Sequence, residues 1–266
     1  MTQQTRQLSA KDVSFGYGGD DIVKHQDVQV PTGRITAIVG PNGCGKSTLL
    51  RGLVRLLKPT SGEVLLDGAS IQGLRSVDVA KSIGLLPQTP VAPDGITVAD
   101  LVGRGRYPHQ GWFRQWTSDD DRAVSNALEV TNTTELADRT IAELSGGQRQ
   151  RVWIAMTLAQ DTELVLLDEP TTFLDIHHQV DLLDLLTDLN REASRTIVMV
   201  LHDLNLACRY ADHLIAMKDG VIAAEGAPND IVTADLVGEV FGLRCQVVPD
   251  PVSHTPMVVP LGRHHR

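Results

Sequence analysis

The chain has 266 residues, 42% of them hydrophobic and 21% charged, with a net charge of −9. It is long enough to bury a large core, and its acidic balance excludes the basic footprint of a general nucleic-acid binder while leaving room for a local basic patch. No apolar run approaches the ~18 residues of a membrane span, and the polar stretch Met1 to Gln7 lacks the apolar centre of a secretion signal.

Residues 8 to 15 alternate as an edge strand does, and Phe15-Gly-Tyr-Gly18 follows. Tyr17 can stack on a purine base or pack over the glycine turn. Pro31 and Gly33 mark a turn before Ile35 to Val39, a short apolar, partly β-branched run that predicts a buried strand. Gly40-Pro-Asn-Gly-Cys-Gly-Lys-Ser-Thr48 comes next and fits Gly-x-x-x-x-Gly-Lys-Ser. Residues 46 to 57 carry Leu49, Leu50, Leu53, Leu56 and Leu57 at helical spacing. A strand, this loop and a helix form the context of a phosphate site.

The residue types suit a polyphosphate. Glycines 40, 43 and 45 let the backbone wrap an anion and aim amide hydrogens at it. The helix starting near Lys46 adds unpaired amides and the positive end of its dipole. Lys46 supplies a mobile charge, and Ser47 supplies a hydroxyl oxygen for a hard divalent cation. Cys44 reads as a small space-filler. With Cys208 and Cys245 it suits a reducing compartment and forms no metal spacing.

Pro59 and Gly62 make a turn, and Glu63 to Leu66 reads as a strand ended by Asp67-Gly68. Ile83 to Pro87 is another short strand, followed by Gln88, whose amide oxygen can reach a cation or water, or lie solvated. From 89 to 147 the texture is that of a mostly helical insertion. Pro90 and Pro93 open a loop, Val98, Leu101 and Val102 suggest a short helix, and Arg104 to His109 is basic and breaks it. Arg106 and His109 form either a solvated face or a partner-docking surface. Asp119-Asp-Asp121 begins a helix to about Val130.

Leu144-Ser-Gly-Gly-Gln148 precedes a helix to about Ala159, which makes Ser145 an N-cap or the segment a second anion site. Leu164 to Leu167 is an all-apolar strand suited to a parallel sheet, closed by Asp168 and Glu169 where ligands bind such sheets. Asp168 can hold magnesium through water, and Glu169 can orient or deprotonate an attacking water. Asp175 ends a short loop before a helix from Ile176 to Asn190, which His177 and His178 begin as solvated residues. Thr196 to Leu201 is another central strand, with His202 at its end, able to bond a phosphate or water. Residues 213–217 and 221–224 pair around an Asp219-Gly220 hairpin, Asp235 to Phe241 is a short helix, and the last residues to Arg266 are expected to be loose.

Taken together, Gly40 to Thr48, Gln88, Leu144 to Gln148, Asp168-Glu169, Asp175 and His202 stand in the order of the ATP-binding cassette (ABC) ATPases. The chain resembles that family over nearly its full length, and Leu-Ser-Gly-Gly-Gln is highly specific to it. The resemblance implies an α/β P-loop NTPase with a RecA-like core (1–88 and 160–266), an N-terminal antiparallel β subdomain and a helical subdomain (89–159). It implies a homodimer of cassettes that sandwiches two ATP molecules with Mg2+. Each ATP would contact Gly40, Pro41, Asn42, Gly43, Cys44, Gly45, Lys46, Ser47 and Thr48 of one copy and Ser145, Gly146, Gly147 and Gln148 of the other. Tyr17 matches the adenine-stacking aromatic, Gln88 the γ-phosphate sensor that also ligates metal, Asp175 the interface loop, and His202 the switch histidine. Catalytic roles fall to Glu169, His202, Lys46 and Gln88, and metal binding to Ser47, Gln88 and Asp168.

Within the family the chain is similar to ATPases of bacterial iron–siderophore importers, close to the vitamin B12 and haem group. The supporting stretches are Arg104 to Gln110, residues 172 to 179, and Leu201 to Asp212. That likeness implies ATP hydrolysis coupled to uptake, membrane permease partners, an extracellular binding protein, and a place on the cytoplasmic face of the membrane. On this view the stretch after His202 is too short for an added regulatory domain. The alternatives are a soluble cassette acting on nucleic acid or ribosomes, or a cassette for another cargo such as vitamin B12 or haem.

Overall fold

The computed structural model describes residues 6–110, 116–172 and 174–262. Phe173 and the chain ends at 1–5 and 263–266, all read above, lie outside the described residues. In chain order the elements are β1 (Leu8–Phe15), β2 (Val23–Gln29), β3 (Ile35–Val39), α1 (Lys46–Leu53), β4 (Ser61–Leu66) and β5 (Ala69–Ser70). Then come α2 (Ser76–Ser82), β6 (Ile83–Leu86), α3 (Val98–Gly103), α4 (Ser118–Val130), α5 (Gly146–Ala159), β7 (Leu164–Leu167) and α6 (Ile176–Ala193). The last run is β8 (Thr196–Val200), α7 (Leu204–Tyr210), β9 (His213–Lys218), β10 (Val221–Gly226), α8 (Pro228–Ile231), α9 (Ala234–Phe241), β11 (Cys245–Pro249) and β12 (Pro256–Pro260). They divide into two compact units, residues 1–73 with 196–266, and residues 74–195.

In the first unit every residue of β3 is buried. A strand apolar at four of its five positions, with Thr36 the exception, suits a position covered on both faces. Accordingly β3 lies parallel to both β8 and β9, with Ile38 level with Val200 and Ile215. The β9–β10 pair is the antiparallel hairpin read around Asp219-Gly220. A separate antiparallel sheet runs β2-β1-β4-β5. Helix α1 has eight residues, below the ~12–15 at which a lone helix holds in water. Its buried Leu49, Leu50 and Leu53 stabilise it by about 1.5–3 kcal/mol each. The helix stops at Leu53 and not at Leu57: Arg55 adopts φ +63°, and Leu56 is exposed.

In the second unit β6 and β7 pair in parallel, Ile83 opposite Leu164 through Leu86 opposite Leu167. Helices α3 and α4 pack on α5. Thr117 and Asp120 close a capping box on α4. Residues 104–109 form a 3₁₀ turn, and Arg106 lies buried inside it. Its guanidinium donates to Asp120 and to the carbonyl of Ala159, both at 2.9 Å. His109 bonds the carbonyl of Gln160 at 2.8 Å. Arg106 is therefore not part of a solvated face, while His109 stays half-buried. A buried ion pair takes its place, built where the basic run meets the acidic start of α4.

The loose tail is also corrected, since β11 and β12 pair from Cys245–Pro260 to Pro249–Pro256. Pro249, Pro256 and Pro260 stand at strand ends, where no ladder N–H is required. This hairpin sits on α7. The Asn205 side chain donates to the Val258 carbonyl and accepts from the Val258 amide, at 3.2 and 2.7 Å. Arg209 donates to the buried Asp250.

The Arg209 guanidinium, followed by the Val252 and Ser253 amides, holds the Asp250 carboxyl down at about 2. Its folded value lies below the unfolded ~3.9. The stabilisation is therefore complete above about pH 4 and is lost as pH falls through about 2. We expect the urea midpoint of the wild-type protein to fall over that window more steeply than that of Asp250→Asn. Parallel curves from pH 5 to 2 would remove Asp250 from the acid response.

Candidate functional site

In the first unit β3 runs straight into the glycine loop, and α1 leaves it. Gly40 has φ +150°, and a Cβ there would sit 2.2 Å from the Met217 carbonyl oxygen and 2.8 Å from Cys44 Sγ. The loop thus passes too close to β9 for any side chain. Gly45, at φ +104°, caps α1, and the first intrahelical bond is Leu49 N to Gly45 O at 2.8 Å. The amides before it lie at the positive end of the helix, where an anion is favoured. The β9–β10 turn braces the loop, because the Gly220 amide donates to the Cys44 carbonyl at 3.1 Å.

Lys46 is 5% exposed. Its ammonium donates to the carbonyls of Gly40 and Pro41, both at 2.8 Å. Those neutral acceptors hold the charge in place over the loop without neutralising it. Cys44 is buried, and burial pushes its thiol up despite nearby Lys46, consistent with a packing role. Tyr17 is 58% exposed, with its hydroxyl 3.5 Å from Arg51, so a ring face remains open. His202 is exposed just beyond β8. The next residue, Asp203, caps α7 through the amides of Asn205 and Leu206 at 2.8 and 3.0 Å.

The second unit brings Gln88, Asp168 and Glu169 to the ends of β6 and β7. The Asp168 amide donates to the Leu86 carbonyl at 2.9 Å, and its side chain is buried. Glu169 has φ +55°, a left-handed conformation that costs a non-glycine residue about 1–3 kcal/mol. Gln88 donates to Glu169 Oε2 at 2.7 Å, and Thr172 donates to the same oxygen at 3.1 Å. Gln88 is thus not simply solvated. Sequence reasoning passed over two supports: Thr172, and Gln150, which donates to the Pro170 carbonyl at 2.8 Å. Both hold a turn whose shape no local pattern reveals.

Ser145 caps α5 and shares a capping box with Gln148. Ser145 and Gly146 are exposed, and Gly147 is half-buried. Asp175 caps α6 by accepting from the His178 amide at 3.0 Å, and that bond lowers its carboxyl below the ordinary range. His178, read as solvated, is half-buried and lies on the start of α5: a Cβ on Gly147 would stand 2.8 Å from its ring.

A family model described as ABC transporter matches residues 23–172. The chain belongs to the ABC transporter family. The cassette is 56% identical over 263 residues to the ferric enterobactin transport ATP-binding protein FepC of Escherichia coli strain K12, covering 99% of this chain and 97% of that one. A metal-chelate-type ABC transporter in an inward-facing conformation superposes with TM-score 0.83 at 31% identity, over 97% of this chain and 98% of the other. A dimeric ATP-binding cassette holding ADP and phosphate superposes with TM-score 0.73 at 30% identity, over 83% and 98%. The ABC ATPase fold is as expected, and the chain is an ATP-binding ATPase subunit of this family. No described helix is long and apolar enough to cross a membrane.

Gly40→Ala should weaken ATP binding by at least about ten-fold and lower the melting temperature, because β9 must move to admit the methyl group. Calorimetric titration with ATP and a thermal melt check this. An unchanged affinity would mean that the close approach to Met217 does not shape the loop.

Proposed function

We propose that this cassette hydrolyses ATP to drive uptake of an iron(III)–siderophore or similar iron chelate through membrane permeases. The observation that carries the reading is the loop of residues 40–48 at the start of α1, with the ammonium of Lys46 buried over it. ATP phosphates take the loop amides and Lys46, and adenine stacks on the open face of Tyr17. Ser47, Gln88 and Asp168 offer a hydroxyl, an amide carbonyl and a carboxylate. These are hard oxygen donors of the kind Mg2+ requires, and the ion would offset charge on the phosphate oxygens. Glu169 orients the attacking water and accepts its proton. Gln88 now donates its NH2 to Glu169. Turning its oxygen to a cation would break that bond and free the carboxylate for water. His202 bonds the γ-phosphate.

The exposed Ser145 and Gly146 suit contact with nucleotide held by a second copy, with Asp175 at the shared boundary. The dimeric relative supports that pairing. The chelate cargo is supported by the ferric enterobactin relative and the metal-chelate-type transporter. The subdomain at 89–159 offers the permeases an alternative to Arg106 and His109. This is a groove of about 610 Å³ lined by Ile96, Gly103, Arg104, Tyr107, Trp116 and Val124. Such docking puts the chain on the cytoplasmic face of the membrane, and an extracellular binding protein would deliver the chelate. The net charge of −9 opposes the nucleic-acid alternative.

Glu169→Gln should slow ATP hydrolysis by roughly 10²–10⁴-fold, leave ATP affinity near wild type and accumulate an ATP-bound dimer. Phosphate release and light scattering measure these effects, and a wild-type turnover rate would refute the role of Glu169. Lys46→Ala should abolish calorimetric ATP binding at concentrations that saturate the wild type.

A further inference from the structure

The first turn of α6 carries a cluster that ATP chemistry does not use. His177 Nε2 lies 3.5 Å from Asp181 Oδ2, and His178 Nδ1 lies 3.9 Å from the same oxygen. One ligand atom from each of the three lies within 4.8 Å of the others. Ligands about 2.0–2.2 Å from a tetrahedral ion stand roughly 3.4 Å apart. Two of the pairs are close to that spacing, and rotation of His177, whose side chain is 76% exposed, closes the third. Among the described residues no lysine or arginine is paired with Asp181; its ion-pair contacts there are the two imidazoles.

We propose that His177, His178 and Asp181 bind one divalent transition-metal ion of the Fe2+ and Zn2+ class. Two imidazole nitrogens and one carboxylate select such borderline ions over Mg2+, which prefers oxygen, and leave coordination positions open for water. The position gives the site a consequence. The His178 ring lies against Gly147, and its amide holds the Asp175 carboxylate. A metal on Nδ1 fixes that ring and stiffens the segment running from Asp175 to the start of α5. Bound metal therefore slows hydrolysis by opposing adjustment of residues 145–148 around nucleotide. This second half rests on the proposed role of those residues; the binding half does not.

The test titrates ZnCl2, and separately ferrous ammonium sulfate under anaerobic conditions, into nucleotide-free wild type, His177→Ala and Asp181→Asn. Millimolar Mg2+ is present throughout, and both substituted side chains are solvent-accessible. We expect one site per chain in the wild type, weakened more than about ten-fold in each variant, as loss of even an outer partner costs 10–100-fold. The Zn2+ and Fe2+ arms identify which ion the site prefers. Identical isotherms for all three proteins would overturn the site. Steady-state ATP hydrolysis is then measured with and without the metal. His177→Ala should match the wild type without metal and should lose the several-fold inhibition by metal. Binding without inhibition would overturn the coupling to Gly147. A wild type inactive without metal would instead fault the ATPase assignment, whatever the calorimetry.

Discussion

A buried ammonium at the start of a helix governs this molecule. Lys46 sits where charge is poorly solvated, and its ammonium donates to two neutral carbonyls. Burying an unneutralised charge is unfavourable, so the site is preorganised for an anion. The elements around it serve that end. β3 delivers the loop, the β9–β10 turn braces it, and the leucines of α1 anchor the helix whose dipole points at it. Gly40 sets the tolerance, because its backbone lies against the Met217 carbonyl.

A second device lies at the end of β7. Glu169 is held in a left-handed conformation and shares one carboxylate oxygen between Gln88 and Thr172. The turn aims the carboxylate, and the two donors restrain it. Each bond to a carboxylate is worth roughly 1.5–3 kcal/mol net, small enough for one donor to be exchanged for another. A movement of Gln88 at the end of β6 is therefore felt directly at Glu169.

The parts legible in sequence are those fixed by local pattern. The apolar runs of β3, β7 and β8 read directly because strands buried on both faces need no alternation. The glycine loop and the N-cap reading of Ser145 came directly because backbone and capping rules act over a few residues. What escaped depends on distant partners. Arg106 looked like a surface cation until Asp120, fourteen positions on, met it inside the unit. The stop of α1 hung on the conformation of Arg55, and the prolines of β11 and β12 disguised a hairpin anchored by Asn205. His178 shows the same limit from the other side. Its position on α6 was clear from sequence, but its contact with Gly147 required the loop between them to be folded.

The hairpin on α7 also bears on how this chain can be handled. Val258 and Asp250 grip the helix that directly follows His202, through Asn205 and Arg209. A shortened form ending near Phe241 would keep residues 40–48, 145–148 and 168–169 and still strip the support from behind His202. Fusions placed after Leu261 spare that grip, so reporters and affinity handles belong at the far end of the strand pair.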